Sequence, residues 1–356
     1  MRQLLQDHRV IVCTGSGGVG KTTTSAALGI AAARMGKRVL VLTIDPARRL
    51  AMTLGIANSA VDVWVPGQGF RGQLWAGTID PPRIFAEYIE RHANNRAAAD
   101  RLFNNAMFQQ LSTTLSGSQE FTALSKLHDA ATCGDYDLVI LDTPPAAHAA
   151  DFLRAPARLN AVFDSAIVSL FMGRTAGLGL ATMAWKRSVK LVLGALTLLT
   201  GSAFVATLND FFSAIDAIAP DIRQTNLCAH RLLLDPSTAF VLISSFDAAK
   251  IQEGQAFCTE LSEAGYHLKK VIINRAWPNW TPEGCPAQAA TFSALQAHAA
   301  PALAELYKRL STFHLARRTR PNQFVDAVMV PDIDDDLIGL AALEKLAVRL
   351  VQTDAS

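Results

Sequence analysis

One eight-residue stretch constrains this chain more than any other: Gly15-Ser-Gly-Gly-Val-Gly-Lys-Thr22. It follows a β-branched apolar run, Val10 to Thr14, and opens an alanine-rich segment, Thr22 to Met35, that Gly36 closes. Strand, glycine loop and helix form the context in which the pattern G-x-x-x-x-G-K-[ST] binds phosphate. Glycines let the backbone wrap so that successive N–H groups point at one anion, and the helix N-terminus adds positive partial charge. Lys21 supplies a point charge for the β- and γ-phosphates, and Thr22 a hydroxyl for Mg²⁺. Gly15, Ser16, Gly17, Gly18, Val19, Gly20, Lys21, Thr22 and Thr23 are therefore the expected nucleotide-binding residues, with Lys21 also in a catalytic part.

The buried-strand pattern recurs at Arg38 to Ile44, Asp137 to Leu141, Ala239 to Ser244, Leu268 to Asn274 and Phe324 to Val330, and helical stretches are expected between. Apolar strands alternating with helices predict an α/β fold: a P-loop NTPase whose mainly parallel sheet is flanked by helices. From about Pro156 to His230 no strand pattern is found, so a helical insertion over 156–230 is expected within a core made of 1–155 and 231–356. Inside it, Leu191 to Leu208 carries no charge. Three readings of that stretch stay open: a short membrane span, a buried helix or hairpin, and an exposed apolar groove for a hydrophobic client.

Two aspartates stand where strands end. Asp142 follows Leu138-Val-Ile-Leu141 and begins Asp-Thr-Pro-Pro, at a carboxyl strand end in the crevice where open α/β sheets bind ligands. It is expected to hold Mg²⁺, directly or through water, together with Thr22. Asp45 closes Arg38 to Ile44 and begins Asp-Pro-Ala-Arg-Arg49. A carboxylate there can orient the attacking water, which makes Asp45 the second catalytic candidate; its other reading is a plain helix N-cap.

With these pieces together, the sequence resembles the ArsA-type family of ATPases, which includes arsenical-pump ATPases and targeting ATPases for tail-anchored membrane proteins. Gly17 to Thr23 looks like that family's phosphate loop, Asp45-Pro-Ala its first switch, and Asp142-Thr-Pro-Pro-Ala-Ala-His148 its second. Ile272-Ile-Asn274-Arg resembles the segment whose asparagine reads adenine. Val330-Pro331-Asp, followed by Leu340 to Leu346, resembles the C-terminal loop and helix. The resemblance implies ATP and Mg²⁺ as ligands, Asn274 and Pro331 at the nucleotide, and a dimer that closes on ATP and rearranges helical subdomains. The insertion would then face a hydrophobic client or a membrane protein.

The chain departs from that family in its contacts across the dimer. Where the family's loop carries a signature lysine, this chain has Ser16, and where relatives carry a glutamate after the strand ending at Ser244, it has Ser245. Arg48 and Arg49 are the cations that could substitute, and a heterodimer with a paralogue is the alternative to a homodimer. A weakly hydrolysing regulatory subunit, a metalloid-export ATPase and a partition or positioning ATPase are the competing functions. Five dispersed cysteines without a Cys-x-x-Cys pair lead to no expectation of zinc. With 33 Lys and Arg against 31 Asp and Glu, no nucleic-acid partner is expected either. The charged N-terminal segment does not read as a secretory signal, so a cytoplasmic protein, with room for membrane association, is expected.

Overall fold

The computed structural model describes residues 1–44, 49–56, 62–67, 69–92, 96–105, 117–144, 207, 220–276, 305, 324, 327–331 and 339–352. Asp45, Arg48, His148, Cys285 and the 191–206 stretch lie outside the described residues. The chain divides into two compact units, one of Met1–Thr78, Ala130–Ala150 and Leu233–Ser356, the other of Ile79–Asp129 and Asp151–Leu232.

The first unit opens with α1 (Arg2–Asp7) and is built on an eight-stranded sheet. Its strands are β1 (Val10–Gly15), β2 (Arg38–Thr43), β3 (Val63–Trp64), β4 (Gln73–Thr78), β5 (Leu138–Asp142), β6 (Thr238–Ser244), β7 (Leu268–Ala276) and β8 (Ala327–Pro331). The spatial order is β3-β4-β2-β5-β1-β6-β7-β8, with every neighbouring pair parallel except β3 and β4. The six expected strands are present, with ends shifted by up to three residues. β3 and β4 are a correction, because helices alone were expected between Ile44 and Asp137. Gln73-Leu-Trp-Ala-Gly-Thr78 is neither continuously apolar nor β-branched, and it becomes a strand because its backbone pairs with β2 from Arg38 to Thr43.

β1, β5 and β6 are buried along their whole length, as strands covered on both faces must be. On one face Ile11, Cys13, Val41 and Ile140 pack in one cluster with α2 (Lys21–Arg34) and with Leu343, Leu346 and Leu350 of the helix Leu340–Gln352. On the other face Leu242 of β6 approaches the backbone of Gly254, in the helix Ala248–Glu263. Asp247 caps that helix by accepting the backbone N–H groups of Ala249 and Lys250. α2 ends as expected: Met35 is the cap and Gly36 turns the chain with φ 102°.

The second unit has helices at Pro81–His92, Arg96–Phe103, most of Gly117–Thr132, and from 220 onward in the helical run 220–234. Tyr88 is its hub. The ring packs edge-on against Phe121 at 5.2 Å between centroids and stacks on His92 at 4.1 Å, while its hydroxyl meets Thr225 Oγ1 at 3.0 Å. Among the described residues no helix is long and apolar enough to cross a membrane.

Close contact between α2 and the sheet depends on Gly29. A Cβ at this position would come within 2.5 Å of Val41 Cγ2 and 3.2 Å of Leu74 Cδ1. Gly29→Val is expected to lower the stability of the first unit by about 1–3 kcal/mol through overpacking. An unchanged or higher melting temperature would show that the helix can move off the sheet without cost.

Candidate functional site

Parallel strands bring their carboxyl ends to one edge, and the candidate residues collect where β2, β5 and β1 end side by side. Asp142 is the last residue of β5, in register with Cys13 of β1 and Thr43 of β2. It is 2% exposed. Two hydroxyls donate to its Oδ2: Thr22 Oγ1 at 2.6 Å and Thr43 Oγ1 at 3.0 Å. The backbone around it is tied down as well, since Ile44 N–H donates to Asp142 O at 3.3 Å and Thr143 Oγ1 to Cys13 O at 2.9 Å. Hydrogen bonds from both sides hold this carboxylate where the resemblance expects a metal-holding aspartate.

The loop leaves β1 at Gly15, which pairs with Ile243, and exposes Gly17 and Gly18. Val19 is buried, and Gly20, with φ 89°, is the N-cap of α2. A left-handed cap of this kind favours glycine, and here space does too: a Cβ on Gly20 would lie 2.3 Å from Asn274 Nδ2. Lys21 is buried and donates from Nζ to Ser16 O at 3.0 Å, across the loop it closes. Thr22 and Thr23 are half-buried in the first turn of α2. Ser16, which stands where a lysine was expected, is 2% exposed.

Asn274 reaches the same loop from β7. Its Nδ2 donates to Val19 O at 2.9 Å, and the side chain is buried. The next residue, Arg275, has φ 53°, a strained conformation for a residue with a side chain, at the point where the β7–β8 register shifts. The bulge leaves Arg275 exposed beside Asn274. Pro331, half-buried at the end of β8, pairs with Ala276 on the far side of that bulge.

Sequence reasoning missed Thr43 and Arg275. A threonine closing a strand is commonplace, and a positive φ on arginine leaves no mark in a sequence. Cys13 lies within the electrostatic reach of Asp142 and Lys21, and burial pushes its thiol up to about 12, so it remains a neutral core group. The four described cysteines, 13, 133, 228 and 258, form no disulfide.

The donor set suits Mg²⁺. Thr22 Oγ1 and a carboxylate oxygen of Asp142 are hard oxygen ligands already side by side, at the mouth of a loop shaped for phosphate. Comparison with known proteins shows the family to which such a loop belongs here. Residues 8–351 match the family described as anion-transporting ATPase.

This chain belongs to that family.

It is 26% identical over 341 residues to the ATPase get3 of Schizosaccharomyces pombe, a match covering 95% of this chain and 89% of that protein. An arsenical pump-driving ATPase of Acidiphilium multivorum is 29% identical over 276 residues, covering 74% of this chain and 39% of that protein. The arsenical pump-driving ATPase of Escherichia coli is 34% identical over 161 residues, covering 43% of this chain and 26% of that one. As a member of this family the chain is an ATP-hydrolysing enzyme, built on a mostly parallel eight-stranded sheet with flanking helices, as the phosphate loop predicts.

Asn274→Ala would remove the side-chain bond that ties β7 to the phosphate loop. The expected loss is about 1 kcal/mol of stability, with faster amide hydrogen exchange over residues 15–20. Unchanged exchange there would show that the loop holds its shape without Asn274.

Proposed function

We propose that this ATPase is a Mg²⁺-dependent, dimeric conformational switch that couples ATP hydrolysis to the handling of a hydrophobic client or a membrane partner. The observation that carries the reading is the pair of hydroxyls, Thr22 and Thr43, converging on Asp142 at the mouth of the phosphate loop. In this reading the backbone of Gly15 to Thr23 and the Nζ of Lys21 bind the phosphates, and Lys21 offsets charge that builds on the γ-phosphate. Mg²⁺ held by Thr22 and Asp142 would neutralise phosphate charge as the bond to the γ-phosphoryl group breaks. Asp45 accepts a hydrogen bond from the attacking water and fixes its line of approach. Asn274 and Pro331 flank the base. Residues 1–155 and 231–356 form the nucleotide core in this proposal, and 156–230 meet the client.

Ser16 favours a second reading. A serine cannot place a positive charge on the γ-phosphate of a facing subunit, so a homodimer built on this loop hydrolyses slowly unless Arg48 or Arg49 substitutes. A weakly hydrolysing subunit paired with a lysine-bearing paralogue fits that deficit. Metalloid export is the third reading. It draws on the pump-driving relatives, and the chain spans about two fifths of the one from Acidiphilium multivorum. Its five dispersed cysteines give it little chemical support.

Specific ATPase activity measured against the protein's own concentration separates the first two readings, with Asp45→Asn as the blank, which is expected to lose roughly 10²–10⁴-fold. Self-dimerisation predicts a specific activity that rises with concentration. Under the second reading the rate is flat and low although ATP binds, and Ser16→Lys raises turnover by about tenfold or more. A rate that is independent of concentration, already fast, and insensitive to Ser16→Lys would sink both.

A further inference from the structure

α2 begins at the phosphate loop and ends, 14 residues on, about 20 Å away. Its last turn opens onto a cavity of about 420 Å³ within the first unit, a volume in the range of sites for small organic ligands. Three arginines from three separate segments line it: Arg2 in the first helix, Arg34 at the end of α2, and Arg71 in the turn before β4. The floor between them is apolar, made by Met35 together with Val348 and Val351 of the C-terminal helix, and Val348 is one of the four large exposed hydrophobic side chains among the described residues.

The charge in this cavity is unbalanced. Among the described residues no carboxylate lines it. Arg34 reaches Glu344 at 3.4 Å, whereas no ion pair ties Arg2 or Arg71 to a carboxylate among the described residues. Lys37 stands at the rim, with its Nζ donating to the carbonyl of the lining residue Gln6 at 2.7 Å, but Asp7 and Asp137 offset its charge, so the excess rests on the arginines. Like charges gathered around one small apolar floor repel each other, and a bound anion relieves that repulsion. Arginine forks match a carboxylate in two parallel hydrogen bonds, and an apolar body gains by covering Met35, Val348 and Val351.

We propose that this cavity is a binding site for a small amphiphilic carboxylate, its head on Arg2, Arg34 and Arg71 and its apolar body on the floor between them. The site is separate from the phosphate loop and needs neither ATP nor a second subunit.

Calorimetric titration of the full-length protein with decanoate below its micelle concentration tests the proposal, with decanol and inorganic phosphate as the two half-ligands. Saturable one-to-one binding of decanoate is expected, at least tenfold tighter than either half-ligand. Arg2→Gln with Arg71→Gln should weaken decanoate at least tenfold. Val348→Glu, at an exposed position, should abolish the binding without lowering the melting temperature or the basal ATPase rate. The proposal is overturned if decanoate does not saturate, if decanol or phosphate binds as tightly, or if the arginine pair and Val348→Glu both leave its affinity unchanged.

Discussion

The site depends on one buried carboxylate. A carboxylate taken out of water is tolerable only when hydrogen bonds or cations replace its hydration, and Asp142 receives hydroxyls from α2 and from β2 on a single oxygen. That arrangement requires β5 to lie between β2 and β1 with its last residue level with Thr43 and Cys13. A one-residue slip of β5 would turn Asp142 to the opposite face and put Leu141 in its place. The continuous apolar register of Leu138 to Leu141 therefore positions the chemistry as well as filling the core. α2 brings the rest, since a helix that crosses back over a parallel sheet starts where the preceding strand ends. Its N-terminus, Lys21 and Thr22 arrive at that edge without any further device.

What could be read beforehand follows from what each feature depends on. Strands covered on both faces advertise themselves through runs of mainly apolar residues, and the six read from such runs are all in the sheet. β4 did not, because Gln73-Leu-Trp-Ala-Gly-Thr78 is defined by its partner β2 more than by its own composition. β3, only two residues long, has no periodicity to detect. At the site, the glycine loop and Asp142 were legible because their spacing is dictated by a phosphate and by a strand end. Asn274 was legible only through a family resemblance, since its bond to Val19 spans 255 residues of sequence. Thr43 and Arg275 act through a register and a backbone angle, and neither quantity is written in local sequence. Asp45 and His148 fall outside the described residues, so their parts rest on sequence alone.

Ser16 shows how one substitution leaves a fold intact while altering its chemistry. The hydrogen bond that Lys21 makes to this position uses the backbone carbonyl, which any residue supplies, so loop geometry is indifferent to the side chain. Its small hydroxymethyl group is buried, where a lysine would have to reach outward. Selection for folding therefore does not guard this position, and only a requirement for positive charge on a facing subunit would.

Among the described residues, the two units differ in how firmly their interiors are specified. The sheet unit closes an apolar core between α2, the C-terminal helix and strands buried end to end. In the helical unit, Thr122, Ser125 and Asn226 are all at or below 1% exposed, and both polar atoms of the Asn226 amide, like the Ser125 hydroxyl, make no hydrogen bond among the described residues. Each buried polar group left unsatisfied costs about 1–3 kcal/mol relative to a packing in which its bond is made. The sheet unit also buries unbonded hydroxyls, at Thr14 and Thr24, but a hydroxyl forfeits less than an amide with two donors and an acceptor. A packing that carries such a deficit lies closer in free energy to an alternative that removes it. For a protein proposed to change the arrangement of its helices with nucleotide state, that is the unit in which a second packing costs least to reach.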